Sequence, residues 1–184
     1  MADSFKPIQI GGEFIDLDAL QNGEYVNIEY THEKIHDGEM WGCSHYGGTI
    51  AAGGTFQVTF LPGTITPHVV WEVSAGAACQ VTIIRNGALT GGTLLPVHNR
   101  MVAESGSSLM SAKQGGTIAG GTSLLNGYLP GGVSRGVSSA AGASSRGASE
   151  WILPSGGTIT LQLIGVGDST GASINCEFYE ENET

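Results

Sequence analysis

Apolar residues recur with a period of two along most of this chain, the spacing of strands that bury one face and wet the other. Over residues 25–31, Val26, Ile28 and Tyr30 alternate with Asn27, Glu29 and Thr31. Over residues 55–61, Phe56, Val58 and Phe60 take the inward positions, and over residues 69–73 Val69, Trp71 and Val73 do the same. Residues 79–85 follow with Cys79, Val81 and Ile83 inward, then stop at Asn86-Gly87, a dipeptide of the type I′ hairpin kind, before residues 88–97 return. The four stretches between residues 55 and 97 are expected to form one antiparallel block. Farther on, Ile159, Leu161 and Leu163 alternate with Thr158, Thr160 and Gln162. In the last strand Ile174, Cys176 and Phe178 face in while Asn175, Glu177 and Tyr179 face out.

The pattern predicts about eight to ten strands of about five to eight residues and no helix. That many antiparallel strands must stack or close to hide their edges, so the expected class is all-β, an antiparallel sandwich or jelly roll. Gly-Gly-Thr occurs six times, at Gly47, Gly53, Gly91, Gly115, Gly120 and Gly156, with irregular spacing. Separate tight turns leading into strands fit better than a repeat architecture.

The 184 residues suit a single domain. Residues 1–24 read as an arm and lead-in, whose Phe5, Pro7, Ile8 and Ile10 cannot bury themselves locally and would suit a neighbouring subunit. Residues 25–184 form the β domain. Residues 130–149 are a long Gly/Ser/Ala loop carrying Arg135 and Arg146, expected to meet an acidic or carbonyl-rich partner surface or to stay mobile.

Charged residues make up only 13% of the chain, and the formal charge of −10 gives no basic stripe for nucleic acid and repels acidic lipid. The acids gather before Met40 and after Asn175, leaving a middle that is expected to be buried or covered by another protein. The start, MADSFKPIQIGGEF, has no apolar h-region, and no apolar run approaches a membrane span, so a soluble protein made in the cytoplasm is expected. Cys43, Cys79 and Cys176 lack paired spacing and read as reduced core thiols.

Chemistry concentrates in YTHEKIHDGEMWGCSHY, residues 30–46. His32-Glu33-Lys34-Ile35-His36 fits H-E-x-x-H, in which two histidines of one helix hold zinc and the glutamate activates water. A strand pattern entering from residue 25 and Asp37-Gly38 immediately after leave too few residues for a helix, and on a strand Glu33 would point away from both histidines. A zinc hydrolase on His32, Glu33 and His36 is therefore a remote alternative. A tertiary cluster of His32, His36, His45 and His68 is conceivable, but histidines hydrogen-bonded across a sheet are expected instead. Gly132-Val133-Ser134-Arg135-Gly136 matches the G-x-S-x-G elbow, yet no histidine follows it. No phosphate-binding or dinucleotide fingerprint is present, so no cofactor is expected. Trp71 and Trp151 occupy inward positions, which leaves Trp41 as a conceivable sugar platform.

Three segments taken in order carry a resemblance: His32-x-x-Ile35-His36-x-Gly38, then Pro96-x-x-Asn99-Arg100, then Arg146 ahead of Glu150-Trp151-Ile152-Leu153. Together they resemble the small virion structural proteins of tailed bacteriophages, of the head decoration or capsid cement type. The resemblance implies a sandwich or jelly roll on the capsid exterior, bound to the major capsid protein and to its own kind as a trimer, without catalysis, cofactor, nucleic acid or membrane. It makes His32, Ile35, His36, Gly38, Asn99, Arg100 and Trp151 a structural signature. A head fibre, neck or tail position, or a carbohydrate-binding virion module, are the alternatives.

Overall fold

The computed structural model describes residues 8–10, 13–15, 30–102, 106–130, 133–136, 150–167 and 171–181. Two six-stranded sheets make the body. The first runs in the order β12 (Thr122–Leu129), β6 (Cys79–Arg85), β15 (Ile159–Gly165), β4 (Thr55–Leu61), β10 (Ser111–Gln114), β8 (Thr93–Leu95). The second runs β13 (Val133–Gly136), β5 (Thr66–Ala75), β16 (Ala172–Glu181), β3 (Met40–Gly47), β9 (His98–Asn99), with β14 (Trp151–Ile152) also on β5. The pairings are antiparallel, and the class is all-β as the alternation predicts.

The inward residues are those the period of two selects. Phe56, Val58, Phe60, Leu161, Leu163, Val81 and Ile83 from the first sheet join Val69, Trp71, Val73, Ile174, Cys176 and Phe178 from the second in one buried cluster. Each such side chain contributes about 1.5–3 kcal/mol of burial, which fixes the register, because a slip of one residue would turn the whole set to solvent. Residues 55–97 nevertheless do not form one block. β4 and β6 lie in the first sheet and β5 in the second, so successive strands cross the core.

The Asn86-Gly87 hairpin is also replaced by another device. Asn86 has φ 55°, but Gly87 is not left-handed, so the type I′ condition fails. β6 pairs with β12 instead, β7 (Ala88–Thr90) with β11 (Thr117–Ala119), and β8 with β10, all but the bulged end of β12 in one register. These six strands form one long two-stranded ribbon with two bends. At the first bend Asn86-Gly87 faces Gly120-Gly121, and at the second Gly91-Gly92 faces Gly115-Gly116, continuing the register of β7 on β11. Of the seven glycines at the two bends six have positive φ, as does Asn86, and Gly87 alone does not.

Both ends of the ribbon lie in the first sheet, β6 against β15 and β10 against β4. The middle therefore arches over the outer face of β15 and β4. Thr59 and Thr160, which point away from the core, are fully buried, and their hydroxyls meet at 2.9 Å. Gln57 donates its amide to Gly115 O at 3.1 Å and Gly116 O at 3.2 Å, and accepts from Gln162. Buried polar groups are satisfied by partners on the same face or on the arch.

Two further expectations change. Tyr30–His36 is a helix, α1, so the strand read over residues 25–31 fails at its end, while residues 25–29 lie outside the described residues. β13 takes residues 133–136 out of the long loop and pairs them with β5, placing Arg135 opposite Val73 and Ser134 within a strand. Within the arm, residues 8–10 and 13–15 pair with each other as the antiparallel strands β1 (Ile8–Ile10) and β2 (Glu13–Ile15). Phe5, Pro7 and Arg146 lie outside the described residues. No helix among the described residues is long and apolar enough to cross a membrane.

The ribbon bend makes a sharp prediction at Gly116, which has φ 81° and where an added Cβ would sit 2.8 Å from Leu89 Cδ1 and 2.9 Å from Thr90 O. Gly116→Ala is expected to lower stability by about 2–4 kcal/mol, combining backbone strain with overpacking. Gly167→Ala, in open space at ordinary φ, is expected to stay within about 0.5 kcal/mol. Urea denaturation midpoints compare the two, and equal midpoints would refute the arch as a fixed part of the fold.

Candidate functional site

The helix α1 is two turns long, too short to persist alone. Its end explains why it forms. Gly38 is left-handed at φ 71°, its N–H donates to Ile35 O at 3.1 Å, and the Glu39 N–H donates to Lys34 O at 3.0 Å. That is a Schellman cap, and it turns Asp37-Gly38 from an argument against a helix into the reason for one. Lys34 and Glu39 pair across the same cap. α1 then packs along β3.

Asn99 ties this cap to the second sheet. Its Nδ2 donates to Gly38 O while its Oδ1 accepts from the Met101 N–H at 2.7 Å. The next residue holds the strand edge, with Arg100 N–H donating to Met40 O at 2.8 Å and its guanidinium meeting Glu177 at 2.8 Å. A shallow depression of about 280 Å³ lies beside this junction, with His98, Asn99, Arg100 and Glu177 on its rim and Cys43 and Cys176 at its base. The fold thus brings Gly38 together with Asn99, sixty-one positions apart in sequence. Ile35 is half-buried and His32 and His36 are exposed. Trp151 stands elsewhere, half-buried on β14, its ring tilted against Trp71 at 5.8 Å.

The helical condition of H-E-x-x-H is met after all. His32 and His36 share a face, their Nε2 atoms 2.9 Å apart. A zinc protease site needs a third protein ligand, and among the described residues no group of three His, Cys, Asp or Glu is placed to hold a metal. The remaining histidines are dispersed. His45 stacks on Phe56 at 4.7 Å, and His68 stacks on Tyr179 at 4.6 Å, with the Tyr179 hydroxyl 2.8 Å from its Nδ1 and Glu150 at 3.6 Å. Tyr179, expected to face water, is buried on the outer face through this contact. Trp41 is only 6% exposed, which removes it as a sugar platform.

All three cysteines are free and buried, as their spacing suggests. Cys43, Cys176 and Trp71 form one row across β3, β16 and β5. Burial pushes the Cys176 thiol well up, reinforced by its hydrogen bond to Cys43, whose own thiol is held down by that bond against the opposing effect of burial. The Trp71 indole N–H is buried without a hydrogen-bond partner, and its proximity to Cys176, too loose to count as one, only partly offsets the upward push. A paired, buried thiol of this kind is inert packing rather than a nucleophile.

A second depression, about 340 Å³, opens where the β3 edge meets the ribbon bend, lined by His45, Phe56, Gln57, Thr93 and Gln114. Sequence spacing could not locate it, because it arises only where Gly92, Gly115 and Gly116 fold the ribbon back. Nor could spacing pair Arg100 with Glu177, although the alternation does put Glu177 on the outer face.

No protein-family model matches the chain, and comparison with curated proteins and with solved structures finds no match.

Two measurements follow from this geometry. Asn99→Ala removes the side chain that satisfies both Gly38 O and Met101 N–H and is expected to lower stability by about 1–3 kcal/mol. Arg100→Ala, which loses a half-exposed ion pair, is expected to change it by less than about 1 kcal/mol. Urea midpoints in that order support the junction, and the reverse order refutes it. At His45, burial lowers the pKa below its ordinary value. As pH falls the unfolded chain therefore takes up the proton first, so the His45 contribution is present above about pH 6.5 and lost below it. The melting temperature should drop less between pH 7.5 and 5.5 in His45→Gln than in the parent, and parallel drops would place the proton uptake elsewhere.

Proposed function

We propose that this protein is a non-enzymatic structural component of a tailed-bacteriophage virion, a decoration or cement protein that binds the outside of the capsid and associates with its own kind as a trimer. The observation that supports this best is the distribution of charge over the two sheets. The chain carries a formal charge of −10, yet none of the six strands of the first sheet contains Asp or Glu. Glu72, Glu177 and Glu180 belong to the second sheet. At the two edges of the first sheet, Leu94 on β8 and Tyr128 on β12 are each 64% exposed, on residues whose partners Lys113 and Gln80 also point outward.

A face without carboxylates loses little hydration energy when covered, and exposed Leu and Tyr gain from being covered. An acidic opposite face keeps the free protein and the coated particle soluble. A two-faced body of this kind suits a protein that docks on a shell, with the major capsid protein and neighbouring copies as partners. In this reading Phe5, Pro7, Ile8 and Ile10 of the arm, with Arg135 and Arg146, supply further contacts. The jelly-roll description and the choice among head, fibre base, neck and tail belong to the same proposal. The protein would be made in the host cytoplasm and end on the capsid exterior.

The test is attachment to purified heads. Mass spectrometry of virions should find the protein in many copies per particle, and light scattering should give a trimer mass. Leu94→Asp combined with Tyr128→Asp should cut head occupancy more than tenfold while the circular dichroism spectrum stays that of a β protein. A strict monomer absent from particles would overturn the proposal, and full occupancy by the double variant would overturn the role of this face.

A further inference from the structure

His32 and His36 carry chemistry that capsid attachment does not use. They lie four residues apart on α1, the spacing that puts two side chains on one helical face. Their Nε2 atoms are 2.9 Å apart while the ring centroids are 4.7 Å apart and the planes differ by 9°. The planes are nearly parallel, yet the Nε2 atoms lie closer together than the centroids, so the two Nε2 corners converge and a hydrogen bond joins them.

We propose that this pair chelates one divalent transition-metal ion of the imidazole-preferring class, Zn²⁺ or Ni²⁺, through the two Nε2 atoms, with water completing the shell. Imidazole nitrogens sit about 2.0–2.1 Å from such ions, so two of them at a right angle are about 2.9 Å apart and two at the tetrahedral angle about 3.3 Å. The spacing already present matches the right-angled pair, and a slight opening of the rings reaches the tetrahedral one. The ring that carries its proton on Nε2 shifts, through solvent, to the tautomer protonated on Nδ1, so two neutral rings each offer an Nε2 lone pair to the ion and only the hydrogen bond between them is given up.

Three features hold the pair ready. The Schellman cap fixes the end of the helix one residue beyond His36, the Lys34–Glu39 pair closes over that cap, and Asn99 anchors Gly38 to β9. Both rings are exposed, so the ion reaches them without any opening of the fold. With two protein ligands the site is open on one side. It is a surface chelate, distinct from the closed sites that hold small domains together and from a hydrolase centre with a third protein ligand.

The experiment is calorimetric titration of tag-free full-length protein with zinc chloride and nickel chloride. The parent should bind one ion per chain, and His36→Ala and His32→Asn should each weaken binding at least tenfold, while His98→Asn leaves it unchanged. Circular dichroism checks that each variant retains the parent fold, and chemical shifts of the His32 and His36 imidazole protons on zinc addition report the site directly in the parent. Binding of equal strength in the His36→Ala protein, or zinc-dependent shifts at other histidines with none at these two, would overturn the proposal. Because attachment to heads is read without added metal, failure of this site leaves the capsid reading untouched, and failure of that reading leaves this one.

Discussion

A two-stranded β-ribbon can change direction only if both of its strands bend at the same register position, because a bend in one alone would tear the ladder between them. This chain meets that constraint twice, with Asn86-Gly87 across from Gly120-Gly121 and Gly91-Gly92 across from Gly115-Gly116. Left-handed backbone is open to glycine at little steric cost and to asparagine at some, which is why those residue types stand there, except at Gly87, where an added Cβ would meet Ile118 Cγ2 at 2.5 Å. Everything in the first sheet follows from the two bends. They return β10 to the far side of β4 from β6, cover Thr59 and Thr160, and leave the six-stranded sheet with its inner face free to pack on the second. Replacing a bend by a hairpin would leave two polar strands with a bare outer face and no closure.

The second sheet is held differently, from its edge. β3 pairs with β9 over only two residues, and beyond them the work passes to side chains. Asn99 joins the helix cap to β9, Arg100 joins β9 to Glu177 on β16, and Glu180 of the same strand accepts the Leu109 and Met110 N–H groups at 2.9 and 3.0 Å. These contacts turn a seven-residue helix and a loop into parts of one body. They also explain why the helix exists: its own backbone hydrogen bonds are too few, and tertiary anchoring of its C-terminal turn supplies what length does not.

The alternation of apolar residues made the class, most strands and almost the whole core legible, since Phe56, Val58, Phe60, Trp71, Leu161, Leu163, Ile174 and Phe178 all sit where a period of two puts them. It could not reveal which sheet a strand joins, because β4 and β5 carry the same inward pattern and differ only in partner. The Gly-Gly-Thr motifs were visible as turns, but their pairing across the ribbon is a relation between distant positions. Asp37-Gly38 misled for a related reason: the same dipeptide ends a strand in a turn or a helix in a Schellman cap, and only the hydrogen bonds to Lys34 and Ile35 decide. At the site, the segments holding Gly38 and Asn99 stood out in the sequence, whereas their contact did not. Trp41 looked available beside Gly42, and the packing of the sandwich buries it.

The separation of charge between the sheets ties the fold to the proposed function more closely than any single residue does. A sandwich exposes two outer faces, and their compositions are free to diverge because the inner faces alone fix the register. In this chain the divergence is complete for acids within the strands of the first sheet, while Glu72, Glu177 and Glu180 hold places on the second. The arch contributes to this. It covers the polar Gln57, Thr59, Thr160 and Gln162 with β7 and β11, whose Leu89 and Ile118 are half-buried, so the surface these strands offer outward is Ala and Thr rather than charge. The bend that closes the sheet therefore also keeps its outer face free of carboxylates, and under the proposed capsid role one set of glycines would serve both stability and association.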